Sequence, residues 1–241
     1  LLHIAIYPHN TSQSAHAFLL ALRTKGYHPR VVVTDLRRDY GSVIAVVFSE
    51  ARHHECLFHA EQEVSRYLRK TLGRDYAEQH PAAEEVRQAM VKMFQVRTKR
   101  TAQKRYRALL DQQDDYIQSE PALQWVFDFL EQHWPYLVNA VECPFIPATN
   151  NAVEMVIRRF DQHYQNFCGF ESIETAQVYL AVFEKLYRFT PFSRDARPEI
   201  RGKSPLQLAG YDLSRMPMTW LCQGYSLQWP VMLETEDVPN L

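Results

Sequence analysis

No run of about 20 apolar residues occurs in the 241-residue sequence, so it offers no segment that would cross a bilayer as a helix. No CxxC pair occurs either. The four cysteines, Cys56, Cys143, Cys168 and Cys222, are scattered, which argues against a disulfide framework and for reduced thiols in a cytosolic chain. Neither sign of charge is in excess. The 27 basic and 28 acidic residues give a net charge of −1, so any surface for nucleic acid must be local. No signal peptide precedes the first apolar segment, and there is no internal repeat or low-complexity tract. An initiating methionine is missing too: the chain enters at once the apolar run Leu1-Leu2-His3-Ile4-Ala5-Ile6-Tyr7 and reads as a piece of a larger protein. What is present, 46% apolar and 23% charged residues, suits a soluble globular protein of the cytoplasm, one domain carrying an insertion.

Hydrophobic periodicity divides the first 60 residues into alternating elements. Residues 1–7 read as a strand. After the turn Pro8-His9-Asn10-Thr11, Ser12 or Ser14 caps a helix with Ala15, Phe18, Leu19 and Leu22 at helical spacing, ended by Lys25-Gly26. Residues 30–34 read as a second strand. Tyr40, Val43, Ile44 and Val47 recur at i, i+3, i+4 and i+7 and predict a helix, and residues 55–58 read as a third, short strand. This alternation predicts an α/β sheet. Asp35 then lies beyond the carboxyl end of a strand, where such sheets carry ligand and metal groups.

From about residue 59 to 141 no strand is evident. Segments 61–72, 82–107 and 123–137 have helical periodicity, separated by His80-Pro81 and Ser119-Glu120-Pro121, and predict an all-helical insertion. Pro144 and Pro147 mark a loop before a helix bearing Glu154. Ile173, Ala176, Leu180, Phe183 and Leu186 then form an apolar helical stripe, and the tail from residue 191 reads as irregular.

The residues with chemical promise each have a plainer reading. Phosphodiester cleavage by two metals needs carboxylates converging on Mg²⁺ or Mn²⁺. Asp35 and Glu154 are candidates, since a helical insertion can loop out between them. Asp35 alone also fits a strand-end turn or helix cap. Glu154 also fits a capping box with Asn151 as N-cap. Asn150, Glu154 and Arg158 are spaced i, i+4 and i+8, so they share a helix face with Asn151 beside them, a set suited to metal and phosphate. Cys56-x-x-His59 is a weak zinc signal without a second pair, and a buried Cys beside a packed His is its alternative. Lys92, Arg97, Lys99, Arg100, Lys104, Arg105 and Arg107 fall in an acid-free stretch that suits a phosphate backbone, or equally a solvated helix face. Trp125 and Trp134 read as core, with stacking on an extruded base as the alternative.

Three blocks give the chain a family likeness. Val31-Val32-Val33-Thr34-Asp35 leads on to Cys56-Leu57-Phe58-His59; Ile146-Pro147-Ala148-Thr149-Asn150-Asn151-Ala152-Val153-Glu154 follows; then comes Cys168-Gly169-Phe170-Glu171-Ser172. In this order they resemble the DDE transposases of insertion sequences, in the broad assembly that includes Mutator-like and hAT elements. The resemblance implies a ribonuclease-H-like mixed sheet with flanking helices, interrupted by the helical insertion. It implies core residues 1–59, an insertion at 60–145, core helices at 146–190 and a tail at 191–241. Asp35 and Glu154 would be the second and third catalytic carboxylates holding two Mg²⁺ or Mn²⁺ ions, and Cys56 and His59 the family signature. Asn150, Asn151 and Arg158 would face DNA. The implied activity is metal-dependent strand cleavage and transfer on transposon ends and target DNA by a homo-oligomer. The family's first aspartate is expected on a strand before Leu1, so the chain as it stands is expected to be inactive. The reading from another class is a non-catalytic DNA-binding or assembly module.

Overall fold

The computed structural model describes residues 3–141, 143, 145–166 and 169–215. They fall into two compact units, Asn10–Met155 and Leu1–His9 with Val156–Leu241. The first unit opens with α1 (Ser12–Thr24), β1 (Val31–Thr34), α2 (Tyr40–Val47) and β2 (Arg52–Glu55). The cap of α1 is Thr11, one residue earlier than the serines, and its hydroxyl accepts the Ser14 N–H. Of the apolar positions in α2, Val43, Ile44 and Val47 are buried as the periodicity requires, and Val43 and Val47 pack with Leu19, Leu22 and Val32. The α2 crossover lets β1 and β2 pair in parallel, Val31 opposite Arg52 and Thr34 opposite Glu55.

These two short strands are the whole sheet among the described residues. The ribonuclease-H-like mixed sheet expected from the sequence is not what the described residues build: they are 63% helix and 5% strand. Two misread segments account for part of the difference. Residues 3–7 form no strand, and the Ile4 N–H donates to Glu184 Oε2 at 3.2 Å, so a helix side chain takes the bond a sheet neighbour would have taken. A short apolar run does not itself distinguish a strand from an extended segment packed on a helix. Residues 56–58 open a helix instead of closing a strand. Leu57, Ala60, Val64 and Leu68 recur at helical spacing, and Cys56 stands outside the first turn in extended conformation.

Helices follow without interruption by strands: α3 (Leu57–Leu72), α4 (Tyr76–Gln79), α5 (Pro81–Phe94), α6 (Lys99–Leu110), α7 (Gln113–Ser119) and α8 (Leu123–Leu137). Val64 and Leu68 of α3, Val86, Met90 and Met93 of α5, and Phe127, Leu130 and Leu137 of α8 form their common buried core. Pro81 takes the first position of α5, where its missing N–H costs no hydrogen bond. The periodic stretch read as one helix over 82–107 is two, because Thr98 is extended and its hydroxyl accepts the Thr101 N–H to start α6. Both tryptophans of α8 are packing residues. Trp125 stacks on Tyr67 at 4.1 Å between ring centroids, and Trp134 on Tyr106 at 4.2 Å.

After the 3-10 turn Val138–Ala140, α9 (Asn151–Asn166) begins in the first unit and continues into the second, which also holds α10 (Ile173–Phe189) and α11 (Pro205–Leu208). Phe160 of α9 packs among Tyr164, Phe170, Tyr179 and Phe183. Ala176, Leu180 and Phe183 of the predicted α10 stripe are buried, whereas Leu186 is exposed. The tail is less irregular than expected: Ser204 and Gln207 form a capping box at α11, and Phe192 bridges Arg201. Cys168 of the third sequence block, Cys222 and the tail from residue 216 lie outside the described residues. Among those described, no helix is long and apolar enough to cross a membrane.

Candidate active site

Parallel pairing puts the carboxyl ends of β1 and β2 side by side. The Cys56 N–H donates to Thr34 O at 2.9 Å, so Asp35 and Cys56 leave the strands as neighbours. One residue on, the Leu57 N–H donates to Ala148 O at 3.0 Å, which ties the start of α3 to the segment leading into α9. The strand ends, the Cys56-x-x-His59 motif and the Thr149-Asn150-Asn151 stretch are thereby gathered at one end of the sheet.

Glu154 lies in the first turn of α9, where its oxygen Oε1 is 3.3 Å from His59 Nε2. The capping box read from the sequence is not formed. Val153 and Glu154 donate their N–H groups to Asn150 O, at 2.9 and 3.2 Å, which places Asn150 rather than Asn151 at the helix start. Glu154 Oε1 is buried without a hydrogen bond; its approach to His59 lacks hydrogen-bond geometry. Asn150 Oδ1 and His59 Nδ1 are buried without partners as well. Leaving such atoms unsatisfied costs roughly 1–3 kcal/mol each, and buried polar groups in folded proteins are rarely left so. Two of the three are acceptor oxygens, which a cation or a hydrogen-bond donor would satisfy.

Asp35 is exposed, and its plainer reading is partly realised. Its Oδ1 accepts the Arg37 N–H at 3.4 Å, a long local turn contact. The nearby Arg37 guanidinium is committed elsewhere: it grips Asp39 with Nε to Oδ1 at 2.6 Å and Nη2 to Oδ2 at 2.8 Å. That pairing holds the Asp39 carboxyl below the usual range. Among the described residues, Asp35 has no such counter-ion. After burial itself, its charge is the next cause pushing the Tyr40 hydroxyl up.

The remaining sequence candidates are dispersed. Asn151 is exposed, and Arg158 is exposed on the part of α9 that belongs to the second unit. Lys92 lies in the last turn of α5 and Arg97 in the link to α6, while Lys99, Arg100, Lys104 and Arg105 are on α6. Arg105 turns back and donates to Lys92 O at 2.6 Å. Arg100, Lys104 and Arg107 instead line a shallow depression along α6 with Gln103 and Asp111.

Sequence reasoning missed a polar core beneath the strand ends. His133 Nδ1 lies 2.6 Å from Glu55 Oε2, both side chains buried. His54 Nδ1 is 2.9 Å from Tyr136 O, and its Nε2 is 3.4 Å from Ala148 O. Asn139 donates to His53 O at 2.7 Å, and His53 Nε2 meets the Thr34 hydroxyl at 2.8 Å. Burial pushes the His53 and His54 imidazoles below their usual pKa. The available signal was Arg52-His53-His54-Glu55, four polar residues in a row beside two apolar helices.

Among the described residues, no three His, Cys, Asp or Glu side chains gather as a ready-made metal cage. Mg²⁺ does not require one: it keeps several waters and is held through one or two carboxylates plus substrate phosphates. Two carboxylates and the Asn150 amide oxygen are donors of the hard type that Mg²⁺ and Mn²⁺ prefer. In comparison with known proteins, the model of the family described as Transposase IS66 family matches residues 5–178, a span that takes in Asp35, Cys56, His59 and Glu154. No curated protein and no solved structure gives a match.

Proposed function

The chain belongs to the IS66 transposase family, and from that membership we propose that Asp35 and Glu154 hold divalent metal for cleavage and transfer of DNA strands. The observation that carries this reading is the buried, hydrogen-bond-free oxygen of Glu154 at the end of the sheet where Asp35 emerges. A bound Mg²⁺ or Mn²⁺ would activate the attacking oxygen and stabilise the leaving one. Asp35 contributes an exposed carboxylate at the strand end. Asn150 contributes an amide oxygen turned away from capping α9. Asn151 and Arg158, exposed on the same helix, offer an amide and a cation to the phosphate backbone.

DNA is held, in this reading, by the α5–α6 region. Lys92, Arg97, Lys99, Arg100 and Lys104 supply exposed positive charge in a chain of net charge −1, whereas Arg105 serves to fasten α6 to α5. The test is movement of a marked element in cells supplied with the gene at its natural length. Asp35→Asn and Glu154→Gln keep the side-chain volume and remove the charge, and each should lower transposition by more than about a hundredfold, the effect of losing several kcal/mol of charge stabilisation. A non-catalytic DNA-binding module is the second reading, favoured by the exposed basic side chains of α6. It predicts harmless carboxylate substitutions, whereas substitutions on α6 are damaging under either reading.

A further inference from the structure

The Cys56-x-x-His59 motif has no role in metal binding by Asp35 and Glu154 alone. We infer that His59 is a positioning residue for the Glu154 carboxylate, and that Cys56 exists to place His59. This rests on the reading of Glu154 as a metal-holding group and gives the adjoining motif its function.

The placement of His59 is set by the main chain. Cys56 immediately precedes the first turn of α3 and is fully buried, so a small, apolar-tolerant side chain is needed there. Its N–H is held by Thr34 O, and the next N–H, of Leu57, by Ala148 O. The start of α3 is thus pinned on one side to β1 and on the other to the segment that becomes α9. A residue three positions after Cys56 falls in that pinned first turn, and His59 meets Glu154 from there at 3.3 Å. The two-residue spacing between Cys56 and His59 follows from this helix-start geometry.

Among the described residues, Glu154 has no other anchor. Neither the amides of α9 nor Asn150 claims its carboxylate, and Oε1 is buried without a hydrogen bond. The imidazole is therefore the neighbour that fixes where that oxygen lies while leaving it open to a ligand. A zinc cage is the competing explanation of a Cys-x-x-His motif, and it needs about four ligands. Among the described residues no third His, Cys, Asp or Glu joins this pair.

The experiment is titration of the full-length protein with Mn²⁺, read by calorimetry or the electron-spin signal of free Mn²⁺, across Glu154→Gln, His59→Ala, His59→Asn and His59→Gln. Glu154→Gln should weaken Mn²⁺ binding most. His59→Ala and His59→Asn, which cannot reach the carboxylate, should raise the half-saturating Mn²⁺ concentration about tenfold. His59→Gln, whose amide can approach the same oxygen, should recover most of the loss. Far-UV circular dichroism should be the same for all four. If His59→Ala fails to fold, the Asn and Gln pair decides: equal Mn²⁺ binding by the two refutes the inference. Loss of binding in Glu154→Gln with none in His59→Ala or His59→Asn refutes it while sparing the metal reading. An unmodified protein that does not bind Mn²⁺, or a Glu154→Gln variant that binds it unchanged, overturns both.

Discussion

His53 and His54 sit in β2 with their rings withdrawn from solvent, and burial holds the pKa of each below the usual imidazole value. The unfolded chain therefore takes up protons before the folded one. The stability contributed by the neutral rings is fully present above about pH 6.5 and is lost as pH falls from there through the depressed folded values. The melting temperature should accordingly drop between about pH 7.5 and 5.5. His54→Asn keeps a donor near the Nδ1 position for Tyr136 O and does not titrate, so its melting temperature should fall less over that interval; parallel curves would show that other groups carry the dependence. The buried His133–Glu55 contact makes a second prediction at this scale. Removing one partner strands the other, so His133→Ala should destabilise the fold by about 3–5 kcal/mol in urea titrations. Replacing both with apolar residues of similar volume should cost far less, and equal losses in the two variants would contradict this account.

At the scale of the element, α6 divides its positive charges between two tasks. Arg105 is bonded to the end of α5, whereas Arg100, Lys104 and Arg107 line the open face. Replacing these last three by Gln should weaken DNA binding and flatten its dependence on salt by up to about three phosphate contacts, each worth roughly 0.9 in the log–log slope. Arg105→Gln should lower stability and leave that slope alone. The division was not legible in the sequence, where all these residues look alike in one acid-free stretch. The helices themselves were more legible. The period in Tyr40, Val43, Ile44 and Val47 located α2, and 123–137 coincides with α8, because one face of each is buried and repeats every 3.6 residues. The sheet was overread, since apolar runs of a few residues carry no record of which partner receives their N–H groups, as Ile4 and Glu184 demonstrate. At the candidate site the sequence pointed to Asp35 and Glu154 but not to the contact of His59 with Glu154, a link between distant helix starts that no local spacing encodes.

The larger unit depends on α8 more than on any strand, for its side chains reach both the helical core and the polar network under β2. Leu130 is fully buried in that core. Leu130→Ala should therefore cost about 2–5 kcal/mol, measurable as a lower urea midpoint with an unchanged slope. A larger consequence follows from the closure of His59 on Glu154 across the 95 positions that separate them. A ribosome adding about 5–20 residues per second needs roughly 5–19 s to travel that distance. During this interval the nascent chain has β1, β2 and the first turn of α3 but no Glu154. The contact of His59 with Glu154 is thus withheld by synthesis itself until the intervening helices have been made.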